Sequence, residues 1–255
     1  MEEEKMLIKT WKAAAVLFIL FFVPLQAPAQ TEDMIALGDS AYKKFDHQTA
    51  LNYYMKALAE DPRNFEALWR ISRAYIDLGD KQPKEKQLDF YEKAKLYADS
   101  AVAVNPDHPE GYVRRAIATG KISLFKGVWK SIGLVKKVRD DCEKALKLDP
   151  NHDLAYYVFA RAHQKVAEKP KLFRRPLGLA WASRKKARKL YEKAIALRPN
   201  FIMYHLDYAK LLIEMDEYEK AKAELRKIET LPLEDEDDPK FKEEAKKLLA
   251  ELESK

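Results

Sequence analysis

The chain has 255 residues, of which 35% are charged, and its formal net charge is +6. A single cysteine excludes an internal disulfide framework. Only 7 glycines suit a helical array, since glycine weakens helix interiors. So mild a net charge reads as a mixed-charge soluble surface, compatible with an anionic partner and without the footprint of nucleic-acid binding.

In chain order, the first feature is an apolar run from Ala13 to Val23, preceded by Lys5, Lys9 and Lys12. Ala27-Pro28-Ala29 then supplies small residues in the A-x-A arrangement. The run is short for a membrane span and has the length of a signal-peptide core. Residues 1–29 are therefore expected to be a signal peptide, cleaved before Gln30, with the remainder exported to the bacterial periplasm and without a stable membrane span. Glu2, Glu3 and Glu4 sit awkwardly in a basic leader, and translation from Met6 would remove them. The alternative is an uncleaved N-terminal anchor.

From there one pattern recurs, with small or apolar residues at i, i+4 and i+7 and proline at i+12. It reads Ala50-Tyr54-Ala57-Pro62, Ala94-Ala98-Ala101-Pro106, Val138-Cys142-Ala145-Pro150 and Ala187-Tyr191-Ala194-Pro199. A fifth copy, Ala221-Leu225-Ile228, has Pro232 one place early. Nine residues after each of the first four prolines comes the centre of another helix, at Ile71, Arg115, Phe159 and Tyr208, matching Leu37-Gly38 in the first unit. The pattern resembles the second half of a tetratricopeptide repeat, a helix-turn-helix unit of about 34 residues. The fold expected is all-α, a solenoid of about five helix pairs over residues 30–255. The repeats fall at about 33–64, 65–108, 109–152, 153–200 and 201–233, with a capping helix at 240–253. The distance inside a unit varies, leaving three middle repeats with 10, 10 and 15 extra residues. Insertions at one place in successive repeats fall on one face of a solenoid.

Two of these insertions are apolar and aromatic with basic residues between, Ile122–Trp129 and Lys171–Trp181. They read as loops that must bury Phe125, Trp129, Phe173 and Trp181 against the solenoid, a ligand, a partner or a membrane. The outward positions of the first helices are Tyr42, Trp69, Arg73, Arg114, Tyr157, Arg161, Lys165 and Lys210. They should project into one concave groove, where the basic members would hold carboxylates and Trp69 and Tyr157 would flank them. Cys142 occupies an inward packing position, so a core role is expected rather than a nucleophilic one. His47, His108, His152, His163 and His205 make no metal-ligand pair, and no phosphate loop or nucleophile elbow is present. No catalytic residue, metal or cofactor is expected. Glu234–Asp238 reads as a solvated acidic linker into the last helix.

Several stretches resemble the regulator of microtubule dynamics family and its bacterial relatives. They include His108–Tyr112, Ala116–Phe125, Leu148–Tyr156, Ala160–His163, Ile195–Phe201 and the closing Leu231-Pro232 acidic segment, across roughly residues 33 to 250. The architecture is also similar to the periplasmic tetratricopeptide component of some tripartite solute transporters. These resemblances imply a non-enzymatic scaffold or adaptor of the cell envelope that binds a protein or peptide, with an acidic segment suited to the groove. The alternative is a solute-binding accessory of a periplasmic transport system, with a pocket walled by residues 121–131 and 171–182.

Overall fold

A computed structural model describes residues 27–254 of the chain, and the apolar run at 13–23 lies outside them. Twelve helices, and no strand, occur among the described residues. They are α1 (Ala27–Tyr42), α2 (His47–Glu60), α3 (Phe65–Asp80), α4 (Lys84–Val104), α5 (Pro109–Ser123) and α6 (Val128–Leu148). The chain continues with α7 (Asp153–Ala167), the short α8 (Lys171–Arg174), α9 (Arg184–Leu197), α10 (Ile202–Glu214), α11 (Tyr218–Thr230) and α12 (Asp238–Glu253).

The helices pack as antiparallel pairs, α1/α2, α3/α4, α5/α6, α7/α9 and α10/α11, with α12 laid over the last pair. The repeating alanines explain the pairing. Ala57, Ala101, Ala145 and Ala194 are fully buried, as are Ala50, Ala94 and Ala187. Small side chains there let the paired helices approach, and Tyr54 and Tyr191 fill the layer between. Cys142 lies in the same layer, and burial pushes its thiol well above the ordinary value.

Each second helix then stops in the same way. The backbone N–H groups of Asp61, Asn105, Asp149 and Arg198 donate to the carbonyls of Ala57, Ala101, Ala145 and Ala194 at 2.8–3.0 Å. These four residues leave helical geometry at φ −131° to −138°. The following proline enforces the exit, because it disfavours a helical conformation in the residue before it. The next helix is capped within a few residues: Asn64 accepts from Ala67 N–H, and His108 and His152 accept through Nδ1 from Glu110 and Ala155 N–H. The constant nine-residue step is thus a stop, a turn and a cap, and the two recurrent histidines are N-caps.

The first and fifth pairs share a tight turn in which Phe45 and Asp216 take positive φ, at 60° and 59°. The extra residues of the middle repeats, which the spacing puts between or at the ends of the paired helices, take two forms. The extra residues of the second and third repeats lengthen the second helix: α4 and α6 have 21 residues each, against 14 in α2. Residues 122–129 are accordingly no loop; only 124–127 lie between helices. The fourth repeat alone carries a looped insertion, 168–183, holding α8.

The first helices form the inner wall, with α3 touching α5 and α5 touching α7. The acidic segment expected to be a solvated linker is instead tied to the fold. Asp238 is fully buried, and its Oδ2 accepts from Glu234 and Asp235 N–H, both at 2.7 Å. Glu236 reaches back to the first repeats, 2.7 Å from His47 Nε2 and 2.6 Å from Lys81 Nζ. A sequence places no constraint on so distant a pairing, which is why composition alone read it as solvated.

Candidate partner-binding groove

The inner wall holds two polar-aromatic clusters. The first joins α1, α3 and α5. Tyr42 Oη donates to Asp77 at 2.7 Å. The Arg73 guanidinium lies 3.5 Å from the centre of the Tyr42 ring and 5.1 Å from that of Trp69. Arg114 approaches Trp69 from the next helix at 5.4 Å and donates to Glu110 at 2.9 Å. With Arg70 nearest at 4.2 Å, Trp69 is thus held among three guanidinium groups, in the geometry of cation–π attraction. Helical spacing produces this: residues four apart share a face, so Trp69, Arg73 and Asp77 line one side of α3.

Electrostatics follow the geometry. Burial pushes the Asp77 carboxyl above the usual range, against the opposing pull of Tyr42, His47 and Arg114. Burial also opposes the charge on Glu110, but Arg114 and His152 outweigh it and hold that carboxyl well below the usual range. His152 Nε2 is 3.5 Å from Glu110, which links this cluster to the start of α7.

The second cluster centres on Asp207 of α10. Tyr157 Oη donates to Asp207 at 2.8 Å, Arg161 Nε lies 3.5 Å from the same carboxylate, and Lys210 Nζ lies 3.4 Å from it. Lys210 also pairs with Glu244 of α12 at 2.8 Å. Tyr157 does not flank the groove as an open aromatic platform. It is 3% exposed and stacked on Tyr204 at 4.7 Å, because the inter-repeat core takes its ring. Lys165 joins neither cluster; it pairs with Glu168 near the end of its own helix. Arg161 and Lys165 are the open cations of this half, with side chains 58% and 67% exposed.

The insertion aromatics do not share one environment. Phe125 is half-buried against Tyr91, 6.0 Å between rings. Trp181 is half-buried against His163 at 4.8 Å and Phe159 at 6.3 Å. Phe173 is exposed, and the side chain of Trp129 lies outside the described residues. Among the described residues no cluster of three or more His, Cys, Asp or Glu side chains is placed to hold a metal ion. No described helix is long and apolar enough to cross a membrane.

The carboxylates Asp77, Glu110, Asp207 and Glu236, which tie these side chains together, are what reasoning from outward helix positions missed. Glu110 was within reach of it, since Glu110 and Arg114 stand four apart on one helix. Asp207 likewise stands three residues before Lys210 on one helix, whereas Asp77 and Glu236 pair across repeats and leave no local signal.

Paired helices stacked with their first members inward define a tetratricopeptide-type α-solenoid, a class whose curved inner surface serves as a protein-binding scaffold. A solved thermophilic tetratricopeptide protein of Thermus thermophilus superposes with a TM-score of 0.66 at 19% identity, covering 84% of this chain and 98% of that one. The MamA protein of Desulfovibrio magneticus (residues 41 to the end) does so at 0.51 and 18% identity, covering 78% and 92%. The chain belongs to the family of regulator of microtubule dynamics proteins 1–3, whose model matches residues 34–253. Regulator of microtubule dynamics protein 1 of Mus musculus is 24% identical over 89% of this chain and 77% of its own length. The Pongo abelii protein of the same name is 25% identical over 91% and 76%.

Proposed function

We propose that the chain is a non-enzymatic adaptor of the cell envelope, exported by its N-terminal segment, whose inner wall holds a carboxylate-bearing segment of a protein or peptide partner. One observation carries the reading. Near the Tyr42–Asp77–Arg73 cluster the protein already receives a carboxylate from a distant loop: Glu236, between His47 and Lys81. The end of that wall, where His47 opens α2 and Lys81 follows α3, takes one acidic side chain from residues 234–238, and the basic side chains beside it suit another. Arg161 and Lys165, both largely open, extend that chemistry along the second half.

Much of the inner charge is balanced internally, since Arg73, Arg114, Arg161, Lys165 and Lys210 each face a carboxylate. Recognition therefore rests on Arg161 and Lys165, the most exposed of these cations, and on Trp69, with the less exposed pairs fixing geometry. Charge-assisted bonds to a partner carboxylate contribute about 1.5–3 kcal/mol when desolvated, and much less at an exposed rim.

The test is a pulldown from envelope fractions with wild type and the Arg161→Glu, Lys165→Glu pair, alongside circular dichroism. Loss of a specific partner by a folded double mutant supports the groove. Retention of every specific partner at unchanged affinity rejects it. Export is tested separately by N-terminal sequencing of the native protein: a mature start at Gln30 is expected, and an intact leader on a cytoplasmic species would reject it.

A further inference from the structure

The looped insertion of the fourth repeat inverts the usual rule of burial. In three consecutive positions, Leu172 and Phe173 stand 76% and 67% exposed while the charged Arg174 is 7% exposed. Arg174 is the anchor. Its guanidinium donates to the carbonyls of Lys169 at 2.7 Å and of Leu179 and Ala182, both at 2.9 Å. Three carbonyl bonds compensate a buried cation, for which bare burial is costly. The far side of the loop is packed as well: Leu179 and Ala182 are buried, and Trp181 lies on His163 and Phe159. The exposure of Leu172 and Phe173 is therefore not looseness. The loop is held so that these two apolar side chains face outward.

Their surroundings are cationic. Lys169, Lys171 and Arg175 are exposed beside them, and none has a carboxylate partner among the described residues. The field extends further. Residues 121–139 carry six basic side chains and no acidic one, and residues 164–191 carry ten basic and a single acidic one, Glu168. The two segments meet at Arg139, whose guanidinium lies 5.6 Å from the Trp181 ring. The rest of the chain is net acidic; Lys121, Lys126, Arg139, Arg184 and Arg188 of these segments are paired with carboxylates, which leaves Lys169, Lys171 and Arg175 as the unpaired cations beside Leu172 and Phe173.

We propose that this edge is a peripheral docking surface for an anionic lipid bilayer, with Leu172 and Phe173 entering the interface and Lys169, Lys171 and Arg175 meeting the headgroups. A pair of adjacent apolar side chains on a cationic rim matches the apolar-plus-charged chemistry of a headgroup boundary. A nucleic acid or an acidic protein segment would use the cations and leave the Leu–Phe pair without a role.

The experiment uses the full chain. Phe173→Cys gives one accessible thiol, because Cys142 is buried. It is labelled with an environment-sensitive dye and mixed with phosphatidylcholine vesicles with and without 30% phosphatidylglycerol. A blue shift on the anionic vesicles alone is expected; no shift on either would overturn the proposal. Co-sedimentation is then compared for wild type, Leu172→Ser with Phe173→Ser, and Lys169→Gln with Lys171→Gln and Arg175→Gln. The three lost cations should lower anionic-vesicle partition about a hundredfold, at roughly fivefold each. The serine pair should lower it about tenfold or more with the helical spectrum unchanged. Binding to heparin or nucleic acid that is indifferent to the serine pair, with no effect of that pair on vesicles, would make this a polyanion site and refute the bilayer.

Discussion

His163 sets an acid limit on the protein that can be worked out from its surroundings. Its ring is fully buried between Phe159 and Trp181, and its Nδ1 accepts from Ser183 N–H at 3.2 Å. Accepting at Nδ1 requires the neutral form. Burial, then the neighbouring Lys186, lowers its pKa from 6.5 to about 4. In the unfolded chain the imidazole takes its proton near pH 6.5; in the fold it resists until about pH 4. Between those values the unfolded state binds more protons, so stability falls as pH falls and levels off below the folded pKa. With these two pKa values the loss is about 2 kcal/mol at pH 5 and about 3 kcal/mol at pH 4, from 1.36 kcal/mol per unit. The assay is urea unfolding at pH 7, 6, 5 and 4 for wild type and His163→Gln. The variant loses the Ser183 bond in its original geometry and should be weaker at pH 7, but its decline on acidification should be shallower by the stated amounts. Other groups titrate in both proteins and cancel in the difference. Two parallel pH profiles between 6.5 and 4 would refute the neutral, buried histidine.

Gly38→Ala should destabilise, because an added Cβ would collide with the Tyr54 ring, which Asp39 holds at 2.7 Å through its hydroxyl. The helix-propensity gain of about 1 kcal/mol is smaller than an overpacking cost of about 1–3 kcal/mol, so a melting temperature lower by a few degrees is expected and a higher one would contradict the packing. Asp238→Ala should cost about 1–3 kcal/mol, since it leaves Glu234 and Asp235 N–H without their acceptor; calorimetry reads it, and an unchanged melting temperature would show that the acidic turn is held by something else.

The repeat frame was legible because its signals are local. A proline forces the residue before it to leave the helix, an alanine admits a neighbouring helix, and both recur at fixed spacing, so Ala57-Pro62 and its three counterparts locate the joins. The added residues of the middle repeats were legible in number but not in form. Lys84–Phe90 and Val128–Leu134 have compositions that suit a loop end or two more helical turns, and only packing against α3 and α5 decides. Tyr157 was placed on the correct helix, yet its ring turned into the core because Tyr204 and Asp207, some fifty residues on, receive it. The inversion at Leu172, Phe173 and Arg174 was hidden for the same reason: the carbonyls that hold Arg174 come together only when the loop closes.

The reach of Glu236 to His47, 189 residues apart, changes how the solenoid should come apart. An array whose repeats touch only their neighbours behaves as a one-dimensional chain, fraying from either end with stability summed link by link. Here the last connection is fastened to the first repeats, so neither terminus opens without also breaking a contact with the other. The ends become coupled, and partial unfolding of the terminal repeats gives way to a more concerted transition. Forming that fastening requires closing most of the chain into one loop, an entropic cost that grows only slowly with length but that places the contact late in folding. The acidic turn is thus a clasp that converts a row of modules into a cooperative ring of interactions.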